Sequence, residues 1–199
     1  MSAEENTDSS EMVVSCLYFP KPGRENTVRT LERAAERADE LGVQNIVVAT
    51  ISGESGLLAA RIFHEKNLII VTHSTGFVEP DFQEFNPEFR AKIEEAGANI
   101  LTCQHAMGGI GRAVRKRLGT YELEEIIAYT LRIFGEGTKV AVEIALMAAD
   151  AGLISTKEPC IAVGGTARGV DTAILLRPAH AQNFFDLRIM EVLAKPRLN

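Results

Sequence analysis

Tryptophan is absent from this 199-residue chain, and cysteine occurs only three times. Cys16, Cys103 and Cys160 are odd in number, far apart and set in apolar runs that read as strands. That arithmetic excludes a disulfide framework and leads us to expect reduced core thiols in a cytoplasmic protein. No apolar run approaches the length that crosses a bilayer, and no basic-then-apolar amino terminus suggests export. Lys and Arg number 21 against 27 Asp and Glu, a formal net charge of -6. The balance gives no electrostatic reason to expect nucleic acid or an anionic membrane as a partner. Neither GxGxxG nor GxxxxGKS is present. There is also no nucleophile elbow and no Ser-His-Asp order, which leaves a hydrolase or transferase using a strand-exit His or Cys without motif support.

What is present is ordinary globular composition, with 46% hydrophobic and 24% charged residues in a length that suits one domain. Residues 1–11, MSAEENTDSSE, are acidic and polar and are expected to be a disordered tail. Residues 12–199 then read as a single α/β domain. Apolar runs at 12–19, 46–49, 68–72, 99–103 and 160–163 have the character of buried parallel strands. Between them lie helical patterns: 27–41 closed by Gly42, a short helix at 57–65, one started by Asn86-Pro87-Glu88, and one at 120–134. Residues 138–151 are apolar almost all round and predict a buried helix. An alternating strand at 170–176 and a last one at 188–194 complete the order, with residues 195–197 as a tail. The expected fold is a three-layer, mainly parallel sheet with right-handed crossovers and an antiparallel strand near the carboxyl end. A free edge and the apolar helix after Gly137 suggest a homo-oligomer.

In such a sheet, ligands collect outside the carboxyl ends of the strands. The richest turn there is Thr50-Ile51-Ser52-Gly53-Glu54-Ser55-Gly56, between a strand and a helix. Unpaired helix amides, the positive end of the helix dipole and the hydroxyls of Thr50, Ser52 and Ser55 would suit a phosphate. The same residues would equally make a serine-capped helix with no ligand. Four more loops share that sheet end: 20–27, containing Asn26; 73–77, with His73 and Gly76; 104–111; and 164–171. Residues 104–119 break the alternation, so they read as a lid or binding loop carrying His105 and a basic cluster. The cluster either meets phosphate or forms a solvated face. His73 and His105 with Cys103 match no zinc spacing, and no metal site is expected. Gly165, Thr166 and Arg168 lie in a glycine-rich hairpin loop ahead of Asp171, able to present amides and a guanidinium to an anion. Lys139, Glu143 and Asp150 form a narrow polar stripe, either the solvent edge of their helix or, at Lys139, a contact to an anionic ligand.

The span from about Gln44 to Leu176 resembles the carboxyl-terminal α/β domain of pyruvate kinase. In that domain a strand ends in Thr-x-Ser-Gly-x-Ser, as in Thr50-Ile51-Ser52-Gly53-Glu54-Ser55 here, and a later strand ends in Val-Thr, as in Val71-Thr72. Residues 161–169, IAVGGTARG, take the place of the effector loop, without its tryptophan and proline. No catalytic barrel precedes the domain in this sequence, so pyruvate kinase activity itself is not expected. GREN, SGES, GTKVAVE, GGTARGVDTA and the terminal AKPR are closer to the stand-alone archaeal-type relatives. That resemblance implies a flavoprotein site for flavin mononucleotide (FMN) with no established reaction. The resemblance to the kinase implies instead a non-catalytic module binding a phosphosugar or nucleotide. Either way the expected partner is a phosphorylated small molecule.

Overall fold

The computed structural model describes residues 11–197, so all of the expected acidic tail except Glu11 lies outside the described residues. Among the described residues seven strands form one sheet: β1 (Leu17–Phe19), β2 (Asn45–Ala49), β3 (Asn67–Val71), β4 (Asn99–Leu101), β5 (Cys160–Gly164), β6 (Thr172–Arg177) and β7 (Arg188–Pro196). Their order is β1-β7-β6-β5-β2-β3-β4. Only β6 opposes its neighbours; every other pairing is parallel. The predicted parallel neighbours meet in register, with Ile46 opposite Leu68 and Val48 opposite Ile70. In the same described residues six α-helices accompany the sheet: α1 (Thr27–Leu41), α2 (Glu54–Ile62), α3 (Pro87–Glu95), α4 (Ile110–Leu118), α5 (Leu123–Arg132) and α6 (Glu136–Asp150).

The two-residue period of the strands sorts their side chains into two cores. Ile46, Val48, Ile70, Ile161 and Val163 pack with Leu31, Ala34 and Ala38 of α1 and Ala59 of α2. Val47, Ile69, Val71 and Ala162 pack on the other face with α6, from Ala141 to Ala149. This is the expected three-layer α/β arrangement. Both faces of the central strands are covered, which is why those strands read as continuous apolar runs. Arg37 of α1 clamps β7 by two contacts of 2.7 and 2.8 Å to Glu191, lowering the pKa of that carboxyl.

Some boundaries differ from the sequence reading for local reasons. Cys16 precedes β1 and Cys103 follows β4, both half-buried; Cys160 alone sits in a strand, where burial pushes its thiol up to about 12. The α2 helix starts at Glu54 because Gly53, at φ +101°, turns the chain into it, so Ser55 and Gly56 belong to its first turn. Asn26 makes no side-chain cap; its amide donates to the Lys21 carbonyl at 2.8 Å. Asn86 does cap α3, accepting from the Glu88 amide at 2.8 Å. The segment read as a lid or binding loop, 104–119, contains α4, a helix with no buried residue. β7 runs on to Pro196 because Lys195 and Pro196 pair with Tyr18 and Phe19 of β1.

The α6 stripe read as a possible solvent edge is buried at Lys139 and Glu143 and exposed only at Asp150. Since α6 lies inside the fold, it offers no face for self-association. Exposed apolar side chains lie instead on and around α4 and α5, among them Ile110, Leu118, Leu123, Ile126 and Ile133. Among the described residues no helix is long and apolar enough to cross a membrane.

Candidate functional site

The strand order creates a crevice. From β2 the chain passes through α2 to β3 on one side, whereas β5, which ends at the same sheet edge, lies on the other. Where connections diverge in this way, the loops leaving adjacent strands leave room between them. A cavity of about 700 Å³ occupies that position. It is lined by residues following β2 (Thr50, Ser52 and Ser55), residues following β5 (Gly165, Arg168 and Gly169), and His73, His105 and the first turns of α6.

The turn after β2 is built for close approach. Gly53 donates its amide to Thr50 Oγ1 at 3.1 Å, and Leu57 donates to the Gly53 carbonyl at 2.8 Å. Helix geometry leaves the amides of Glu54, Ser55 and Gly56 without intrahelical acceptors. A side chain at Gly53 would come within 2.9 Å of Phe89 Cβ, in a backbone region that L-residues rarely adopt. Gly53 therefore shapes the turn and does not itself line the cavity. Arg24 closes over this turn, 3.0 Å from Glu54.

The hairpin loop after β5 is held from behind by Asp171, which is only 1% exposed. Its Oδ2 accepts from the amides of Gly23 and Thr166 at 3.2 and 3.3 Å, and its Oδ1 accepts from the Thr172 hydroxyl at 2.9 Å. Val170 donates to Thr27 Oγ1 at 3.1 Å, tying the same loop to the start of α1. Asp171 and Thr166 thus fix the loop, and Gly165 and Arg168 face the cavity. Gly76 lies in the wall of a smaller adjoining cavity of about 210 Å³.

Across the crevice, His73 and His105 converge with 5.4 Å between ring centroids. Phe77 stacks on both, at 4.0 and 5.1 Å, and Arg112 lies 4.5 Å above its ring. Each imidazole has a carboxylate at Nδ1: Glu84 at 2.7 Å from His73 and Glu143 at 3.8 Å from His105. Glu143 also accepts from the Met107 amide at 2.9 Å and pairs with the buried Lys139 one turn earlier on α6. Burial alone would raise its pKa, but contact with His105 and the charge of Lys139 outweigh it and hold the carboxyl at about 2. At 3.8 Å the His105 contact is electrostatic, so Lys139 and the Met107 amide carry most of the stabilisation. Among the described residues, no group of three or more His, Cys, Asp or Glu is placed to hold a metal.

Eight of the residues singled out from sequence therefore line one cavity: Thr50, Ser52, Ser55, His73, His105, Lys139, Gly165 and Arg168. Gly53, Thr166 and Asp171 support it, and Gly76 lies beside it. The sequence reading missed Glu84, which sits in an irregular stretch with no periodic signal, and Arg132 and Glu136, which pair across the start of α6 at 2.5 Å. For Glu143 the signal was available, as an acid one turn after a lysine on a helix otherwise apolar all round.

The chain is 17% identical to a pyruvate kinase from Cryptosporidium parvum, with a TM-score of 0.41 over 80% of this chain and 24% of that one. A second structure of the Cryptosporidium parvum enzyme gives 0.40 at the same identity and coverage. A hydrogen sulfide-producing enzyme from Fusobacterium nucleatum gives 0.29 at 18% identity, covering 52% of this chain and 28% of that one. The chain thus spans about a quarter of the length of these proteins. The family model described as pyruvate kinase, alpha/beta domain, matches residues 29–176, from the first helix through the strand that follows the glycine-rich loop. With that match covering well over half of its length, the chain belongs to the pyruvate kinase alpha/beta domain family.

Proposed function

We propose that the large cavity binds a phosphate-bearing small molecule and that this ligand is FMN. One observation carries the reading: the free first-turn amides of α2, with Ser52 and Ser55, open into the same 700 Å³ space as a wall of Phe77, His73 and His105. A phosphate suits the first group and a flat ring suits the second, and the volume lies in the range of small-molecule sites. Arg24 and Arg168 add cations at the rim, and Val71, Val140, Ile144 and Met147 supply apolar lining. When bound, FMN supplies hydride or single-electron transfer. The chain's own residues would anchor the phosphate, stack on the ring and hold protons at His73 and His105, whose carboxylate partners fix the imidazole orientation.

Mass spectrometry of the small molecule released on denaturation, together with the colour of the purified protein, tests the cofactor directly. A colourless protein that releases a phosphosugar or nucleotide would favour the non-catalytic module. The phosphate position is tested by fluorescence titration of FMN into Ser52→Ala/Ser55→Ala. Each hydroxyl contact to phosphate contributes roughly 1–3 kcal/mol, so the double variant is expected to bind about one to four decades more weakly. Unchanged affinity in a folded variant would reduce the turn to a helix cap.

A further inference from the structure

The smaller cavity, about 210 Å³, adjoins the larger and shares Phe77, His105 and Arg112 with it. Arg112 and Lys116 both line it from α4, where they are one helical turn apart. The helix carries Arg115 and Arg117 as well and has no acidic residue. Arg115 finds Glu125 at 3.0 Å, but Arg112 and Lys116 form no ion pair among the described residues. Two cations at this spacing repel each other unless an anion lies between them. The remaining wall suits close approach, because it is formed by Gly108, Gly109 and the Ser74 side of the His73 loop. His105 belongs to the same wall, and its buried Nε2 has no hydrogen-bond partner.

We infer that this smaller cavity is an anion subsite, anchoring the carboxylate or phosphate of a second small molecule through Arg112 and Lys116, next to His105. A guanidinium takes either anion in a two-point fork, and an ammonium four residues on supplies a second charge. At about 210 Å³ against about 700 Å³ for the larger cavity, the space suits a small acid and not a second ligand of nucleotide size. The anchored anion would then lie beside the His105 ring, whose Nε2 is buried and unpartnered. Together the two cavities would hold a large ligand and a small acidic one side by side. The inference rests on the reading of the larger cavity only in treating that space as a ligand site.

The full chain, without added FMN, is titrated with malonate and separately with inorganic phosphate, and the His105 ring nitrogen signals are followed by NMR. The expected result is saturable binding of at least one of the two anions that shifts the Nε2 signal. The binding that shifts this signal should weaken about tenfold or more in Arg112→Gln/Lys116→Gln and return in part in Arg112→Lys. Malonate binding without phosphate binding would assign carboxylates, and the reverse would assign phosphates. The inference is overturned if neither anion binds, if the Arg112/Lys116 variant with an unchanged melting curve binds like the parent, or if only the Ser52/Ser55 variant loses binding. Because FMN is left out, anion binding in a protein that fails to take FMN would retain the subsite and remove the cofactor.

Discussion

Glu143→Leu is expected to destabilise the unliganded protein by about 3–5 kcal/mol, because it leaves a buried ammonium and a buried amide without their acceptor. Lys139 is 4% exposed and Glu143 3%, and Met107 donates to the same carboxylate. For a domain of this size the loss corresponds to a fall in melting temperature of roughly 6–20 °C. Removing both charges together should recover most of it, since a buried pair replaced by apolar groups of similar volume is often neutral. Thermal unfolding of Glu143→Leu beside Lys139→Met/Glu143→Leu measures the difference. A single variant within about 1 kcal/mol of the parent would mean that Lys139 reaches solvent or another anion.

The same carboxyl sets a pH dependence. Its pKa is about 2 in the folded chain against an ordinary 4.5, so the unfolded chain takes up the proton first as pH falls. The stabilisation is complete above about pH 4.5 and is lost progressively as pH falls towards 2. At 1.36 kcal/mol per pH unit this comes to about 3 kcal/mol. Urea midpoints measured across this range should slope downward in the parent, and the slope should be shallower in Glu143→Leu by this contribution.

The second large effect concerns how closely α6 lies against the sheet. A methyl group at Gly164 would overlap the Gly137 carbonyl oxygen and approach the Ala141 amide nitrogen to 2.9 Å. Both are main-chain atoms of a buried helix, so no side chain can swing away. Gly164→Ala is therefore expected to cost roughly 3 kcal/mol or more, at the upper end of overpacking effects. It should also weaken ligand binding, because Lys139, Val140 and Glu143 ride on the displaced turn and line the cavity. Urea denaturation and FMN titration of the same variant measure the two effects. A loss below about 1 kcal/mol would show that α6 can slide along the strand without disturbing its core.

The parts of this architecture that the sequence makes legible are those governed by a single local rule. Strands β2, β3 and β5 are apolar on both faces, α1 and α3 carry clear stop or cap signals, and the Thr50–Ser55 motif marks the sheet edge where the cavity opens. What was not legible depends on partners distant in the chain. Helix α4 does space Ile110, Val114 and Leu118 a turn apart, but the glycines at 108, 109 and 111 and the four basic residues among them read as a loop. Asp171 stands among the candidate site residues, but its part in holding the loop is not legible, since only the fold brings Gly23, 148 positions away, to its carboxylate. Lys139 and Glu143 look like a surface stripe until His105 and Met107 arrive to bury them. Glu84 is recognised only through the ring it holds.

The pairing of β1 with β7 has a consequence for how the chain is made. β1 lies at one end of the sheet, and its only strand neighbour, β7, is the last element of the described chain. On a ribosome, the segment Leu17–Phe19 emerges well before Arg188–Pro196, the strand it joins. The inner strands β2 and β3 are joined by one helix and can assemble long before that. Closure of the sheet is thus the step with the longest loop to gather, with paired residues 177 positions apart. Until it happens, α1 packs on a sheet that still lacks Leu193 and Ala194 from its own core. A nascent chain halted shortly before β7 would present both the waiting edge strand and that unfinished apolar face to chaperones.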